Sequence, residues 1–148
     1  MCDVGTLRKV TKKDKDLLFQ WANDSECRKN SLNTSEITYQ EHCIWFDKKL
    51  SDESCLMYLY LVEGEPAGQI RIEIEDEIGV ISYSVAREYR GKGYGSRMIS
   101  MVEDKVRGKL RCLHAIVKKE NTASQNIFKK SGYDQDEIPE GLLFVKKM

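Results

Sequence analysis

Residues 90–95 read Arg90-Gly91-Lys92-Gly93-Tyr94-Gly95, and no other segment constrains the chain as strongly. An alternating run from Ile78 to Val85 stands before it, and an amphipathic pattern of Met98, Ile99, Met101, Val102 and Val106 follows. The two periods predict a strand and a helix joined by the glycines. Glycine lets the main chain approach a ligand closely. The first-turn N–H groups of a helix have no partner inside it, and the helix dipole favours negative charge there. The segment therefore predicts a phosphate site, and with it a phosphorylated cofactor. Two other phosphate motifs do not fit. Met98 stands where G-x-G-x-x-G needs its third glycine, and no Gly-Lys-Ser/Thr follows as a P-loop requires. A tight turn that binds nothing is the plain alternative.

A chain of 148 residues predicts a single domain, 1–148, around one core. Lys+Arg and Asp+Glu are both 24, so the net charge is zero. That balance argues against nucleic acid or an anionic membrane as the main partner. Arg87, Arg90, Lys92 and Arg97 nevertheless gather around the glycine turn, where a phosphate-rich ligand would use them. Lys118, Lys119, Lys129 and Lys130 form a later cluster that reads equally as a solvated face. The five cysteines (Cys2, Cys27, Cys43, Cys55 and Cys112) are odd in number and lack CxxC spacing. They predict buried free thiols rather than a disulfide framework or a metal site. No apolar leader or membrane-length run is present, so the cytoplasm is the expected location.

Strands are expected at Thr6–Val10, Leu56–Val62, Gly68–Glu75, Ile78–Val85, Leu110–Val117 and Leu142–Lys147. Helices are expected at Asp14–Asn23, Thr38–Leu50, Gly93–Arg107 and Asn121–Lys130, with Asp14 as a candidate N-cap. A further short strand fits between the last helix and Leu142. Asn23-Asp24-Ser25 and Lys29–Ser35 read as loop, and Glu63-Gly64-Glu65-Pro66 as a hairpin turn. The order predicts an α/β fold: a mixed, mostly antiparallel sheet flanked by helices.

The order of elements, Arg90-x-x-Gly93-x-Gly95, and the later Asn121-x-x-Ser124-x-x-x-Phe128-x-x-x-Gly132-Tyr133 together resemble the GNAT superfamily of acetyl-CoA-dependent N-acetyltransferases. The resemblance implies a sheet with a splayed strand pair that admits acetyl-CoA. It implies that the turn Arg90, Gly91, Lys92, Gly93, Tyr94, Gly95 and Ser96 holds the pyrophosphate. Tyr83, Ser84 and Val85 would then meet the pantetheine arm through their backbone, Asn121 would reach the same arm, and Ser124 and Phe128 would line the thioester end. Many members carry tyrosine at the Phe128 position as the acid for the leaving thiolate. Phe128 has no proton to give, so Ser124, a water or another tyrosine must serve, or the thiolate leaves unprotonated. The last route is chemically tolerable, because a thiol pKa lies near about 8.5.

The N-terminal third carries Trp21-x-Asn23-Asp24-x-x-x-Arg28 and His42-x-x-Trp45-Phe46, and Gly68-Gln69-x-Arg71 follows. This looks like the branch that acetylates nucleotide-linked deoxyamino sugars, as in pseudaminic acid biosynthesis; similar patterns occur in acetyltransferases of protein N-termini. Arg28 and Arg71 are candidates for a sugar diphosphate, and Trp45 and His42 share a helix face that would meet the substrate. Trp21 and Phe46 read equally as core. Glu73 and His42 are candidate bases for the attacking amine; Glu73 equally fits an exposed strand face, and His42 a structural histidine. No cysteine carries an activating motif, so direct transfer to the amine is expected. The implied partners are a small amine, with a nucleotide sugar preferred, and a homodimer is compatible with the family. A non-catalytic CoA-binding module is the remaining alternative.

Overall fold

The fold comes from a computed structural model that describes residues 5–148; Cys2 lies outside them. Seven strands form one sheet: β1 (Thr6–Lys9), β2 (Cys55–Val62), β3 (Glu65–Glu75), β4 (Ile78–Val85), β5 (Cys112–Val117), β6 (Asp134–Ile138) and β7 (Gly141–Lys147). Their spatial order is β1-β2-β3-β4-β5-β7-β6, and every pair is antiparallel except β4–β5. Five helices flank it: α1 (Lys15–Ala22), α2 (Ser25–Asn30), α3 (Tyr39–Leu50), α4 (Tyr94–Val106) and α5 (Thr122–Lys130). This is the mixed, mostly antiparallel α/β sheet that the sequence predicts.

Strand alternation sorts the side chains to two faces. Ile70 and Ile72 of β3, Tyr60 of β2, Leu113 of β5 and Phe144 of β7 are buried with Met98, Ile99 and Val102 of α4 and Phe128 of α5. The α4 residues recur at helical spacing, so one stripe of that helix enters this core. The opposite face of β2 packs Cys55, Met57 and Leu59 against Leu18 of α1 and Phe46 of α3. That second core ends at β2. Beyond it the same face of β3 and β4 carries Gln69, Arg71, Glu73, Ser82 and Ser84, all half-buried.

Several boundaries differ from expectation for local reasons. Ser25–Asn30, of which Ser25, Lys29 and Asn30 read as loop, is the short helix α2; Asp24 accepts hydrogen bonds from the Glu26 and Cys27 N–H groups and caps it. Asp14 does not cap α1 through its side chain; its carboxylate turns back to the Thr11 N–H at 2.8 Å and to Arg8 at 3.0 Å. The hairpin turn is Glu63-Gly64 alone, both with positive φ, so β3 begins at Glu65. Among the described cysteines only Cys55 is fully buried; Cys27, Cys43 and Cys112 are half-buried, and all are free thiols. No helix among the described residues is long and apolar enough to cross a membrane.

Candidate active site

Gly91 and Gly93 both adopt left-handed backbone, with φ of 78° and 83°. A side-chain atom at either would meet nothing within 4 Å, so the turn presents bare main chain to open space. Gly93 is the N-cap of α4, and no side chain caps that end. The first-turn N–H groups therefore point at the same open space, which suits an anion. Gly95 is required for a different reason. A Cβ there would lie 3.0 Å from Ile127 and 3.1 Å from the Tyr83 ring. Lys92 is exposed, with its ammonium 5.8 Å from the Tyr89 ring centre. Tyr94 packs inward on Tyr60, and Ser96 is half-buried on the first turn.

Next to this turn the sheet comes apart. β4 pairs with β5 only at Ile78–Cys112, Gly79–Leu113 and Val80–His114, while β5 stays paired with β7 as far as Val117. From Ile81 to Val85 the β5 side of β4 has no strand partner. The parallel pair therefore opens as a wedge that ends at the glycine turn. Tyr83 lies three residues into the wedge, on the α4 face. Its hydroxyl is 2.6 Å from Ser124 Oγ on α5, and its ring meets Phe128 edge-on at 6.1 Å. Burial raises the Tyr83 pKa, and the Ser124 contact offsets part of that. Asn121 N-caps α5: its amide oxygen accepts from the Ser124 N–H at 3.3 Å, and its amide nitrogen donates to Ser124 Oγ at 3.2 Å. Phe128 does not line the wedge. It is 1% exposed and stacks on Phe144 in the core.

The arginines of the turn are not free charges. Arg90 donates to the Val85 carbonyl at 3.0 Å and pairs with Asp24 at 2.7 Å and Glu26 at 2.9 Å. Arg87 also reaches Asp24, at 3.0 Å. Burial alone would raise the Asp24 pKa, but hydrogen bonds from Arg90, the Cys27 N–H and Arg87 outweigh it and hold the carboxyl below its usual value. Asp24 thus ties the end of β4 to the start of α2. Sequence reading missed this link; the only local signal was an Asp one residue before Ser-Glu, the pattern of a helix cap. A cavity of about 260 Å³ lies beside it, between Gln20 and Trp21 of α1 and Ser84, Val85 and Ala86.

The expected substrate residues do not converge. Arg28 donates to the carbonyls of Ala22 (2.7 Å), Asn33 (2.9 Å) and Ser35 (3.1 Å) and to Ser31 Oγ (3.0 Å). Its guanidinium staples the loop after α2 to the end of α1, which leaves little of it for a diphosphate. His42 is 3% exposed, and its Nε2–H donates to the Lys15 carbonyl at 2.9 Å. Burial lowers its pKa, and the ring is enclosed by Phe19, Trp45 and Phe46, so little of it is open to a substrate. Trp45 faces Arg71, whose guanidinium lies 4.9 Å from the ring centre. Glu73 pairs with Lys49, and Arg71 Nε stands 3.8 Å from it. Burial pushes the Glu73 pKa up, but Lys49 and Arg71 bring it below the usual value, which makes it a weak base. Glu73, Val80 and His114 stand in one cross-strand row at the closed end of the wedge, and His114 was not singled out in sequence. No group of three or more His, Cys, Asp or Glu able to hold a metal ion occurs among the described residues.

Comparison with known proteins agrees with this fold. Among solved structures the chain is similar to spermidine N-acetyltransferase from Vibrio cholerae in complex with CoA and spermine (TM-score 0.88, 15% identity, 99% of this chain and 96% of that one). It is also similar to AAC(6')-Ib in complex with ribostamycin and coenzyme A (TM-score 0.85, 19% identity, 98% and 94%). A third is RimL, a ribosomal alpha-N-protein acetyltransferase in complex with coenzyme A (TM-score 0.83, 15% identity, 99% and 96%). At these identities the likeness shows a shared fold. No curated protein matches the sequence significantly. The family model described as Acetyltransferase (GNAT) family matches residues 16–133, and the chain belongs to the GNAT family of acetyltransferases.

Proposed function

We propose that this chain binds acetyl-CoA at the glycine turn and the β4–β5 wedge and transfers the acetyl group directly to a primary amine of a small molecule. The observation that carries the reading is the uncapped, left-handed Gly91–Gly93 turn at the mouth of an unpaired strand edge. The open N–H groups of the turn suit a pyrophosphate, and Ile81–Ser84 offers a strand edge without a β5 partner to a pantetheine amide. Acetyl-CoA supplies the activated acyl group when bound. The protein supplies orientation, exclusion of water and main-chain donors for charge developing on the carbonyl oxygen. The cavity beside Gln20, Trp21 and Asp24 lies at the end of β4, where an acceptor would approach. The acceptor must lose a proton before it attacks, and neither Glu73 nor His42 is placed or tuned for that, so we assign the proton to solvent in the cavity.

Two of the three structural neighbours above hold an aminoglycoside or a polyamine, which supports a small amine as the acceptor class; RimL, a protein acetyltransferase, keeps a peptide among the outcomes of the test. A nucleotide-linked amino sugar is the second reading. Arg71 over Trp45 favours it, and the loss of Arg28 and His42 as free groups weakens it. A CoA-release assay with acetyl-CoA against polyamines, free amino sugars, nucleotide-linked amino sugars and N-terminal peptides tests both. Release confined to small amines supports the first reading, and release confined to nucleotide sugars supports the second. Release with peptides alone overturns the acceptor class, and release with none leaves a CoA-binding module.

A further inference from the structure

The geometry points to Tyr83 as the acid of this site: its hydroxyl, hydrogen-bonded to Ser124 on the helix face of the β4–β5 wedge, delivers the proton that the departing CoA sulfur takes up. The inference rests on the function proposed above and addresses the gap left by Phe128. Four observations carry it. Tyr83 sits past the last paired β4–β5 residues, where the strand edge is free. Its side chain is held on the α4 face, with its ring against Gly95 on one side and Phe128 on the other. Its hydroxyl meets Ser124 at 2.6 Å, and Ser124 Oγ in turn accepts from the Asn121 amide at 3.2 Å. Phe128, which occupies the position where many relatives carry the acid, is packed into the core and has no proton.

The Ser124 contact fixes the phenol's direction without neutralising it. With its oxygen already accepting from Asn121, Ser124 donates its own proton to the phenol oxygen, which leaves the Tyr83 proton for the sulfur and steadies the phenolate that forms. In the transfer the amine nitrogen attacks the thioester carbonyl carbon. The C–N bond forms, the C–S bond breaks, and its electron pair goes to sulfur. The sulfur takes the Tyr83 proton, and the proton shed by the nitrogen returns through solvent to the phenolate. Amine and thioester become amide and thiol, with no other reactant.

Tyr83→Phe keeps the ring and removes only the proton. It is expected to lower kcat by about 10²-fold, the lower end for a general acid, with the KM for acetyl-CoA unchanged. Calorimetry gives a readout without turnover. The wild-type chain is expected to bind CoA about fivefold more tightly than desulfo-CoA, the size of one hydrogen bond to the sulfur, and Tyr83→Phe to bind the two equally. Unchanged kcat, or a preference for CoA that survives in Tyr83→Phe, overturns the inference while the proposed function stands. If the wild-type chain binds no CoA, the proposed function falls and takes this inference with it. Should Tyr83→Phe fail to fold, Ser124→Ala breaks the same hydrogen bond without touching the ring. A lower kcat with the preference for CoA over desulfo-CoA retained then supports the assignment, and an unaltered kcat or a lost preference refutes it.

Discussion

The two ends of α4 offer a matched pair of substitutions that separates binding from stability. Gly93 before the helix has φ 83°, and Gly108 after it has φ 81°; a Cβ at either meets nothing within 4 Å. Alanine at either position therefore adds the same left-handed strain and no collision. That strain is about 1–2 kcal/mol. In a domain of this size it lowers Tm by about 2–8 °C. Only at Gly93 does the new methyl group project where the turn's N–H groups would meet a pyrophosphate. A charge-assisted hydrogen bond is worth about 1.5–3 kcal/mol, so loss of one contact weakens CoA binding by about 10- to 150-fold. Thermal unfolding and calorimetric titration with CoA should show equal losses of Tm in Gly93→Ala and Gly108→Ala, and a loss of affinity in Gly93→Ala alone. CoA affinity in Gly93→Ala within about twofold of wild type, well under one hydrogen bond, would refute the phosphate assignment. Equal loss of affinity in both variants would show that the turn acts through α4 stability instead.

Arg28→Ala is expected to destabilise the fold by about 1–3 kcal/mol, because it frees the carbonyls of Ala22, Asn33 and Ser35, while the KM for the amine stays unchanged. A raised KM at unchanged Tm would return Arg28 to the substrate. Asp24 gives an acid dependence of definite sign. Its folded pKa is depressed, so its contribution is complete above the unfolded value of about 3.9 and disappears as pH falls through the lower folded value. Urea midpoints of Asp24→Asn and wild type should differ by a constant amount above about pH 5 and converge below it. A gap that persists in acid would remove the Asp24–Arg90 link as its cause.

The readable parts of this chain are those whose period is carried by large apolar residues. α4 was legible because Met98, Ile99, Val102 and Val106 repeat on one stripe, and β3 because Ile70 and Ile72 alternate with polar residues. The short helix α2 was not, since Ser-Glu-Cys-Arg-Lys-Asn has no apolar stripe; its cap at Asp24 and the Arg28 staple define it, and both depend on tertiary partners. The glycine turn was legible as an uncapped helix start on bare main chain because its glycines stand in consecutive positions beside the helix stripe. The substrate side was not, because its meaning depends on what each long polar side chain touches. Arg28 looked available for a diphosphate until three carbonyls proved to hold it. His42 and Trp45 do share a face, but His42 packs against Phe19 of α1 and Trp45 lies over Arg71 of β3. Alternation alone puts Tyr83 on the α4 side, yet its partner Ser124 lies 41 residues further on, beyond any local pattern.

The central claim is that one ligand occupies both the glycine turn and the wedge between β4 and β5. A crystal structure of the chain with acetyl-CoA tests it most directly. The account predicts the pyrophosphate on the main-chain N–H groups of the Gly91–Ser96 turn, the pantetheine arm along Ile81–Val85, and the sulfur within hydrogen-bond reach of the Tyr83 hydroxyl. Acetyl-CoA bound anywhere else, with the wedge empty, would contradict it.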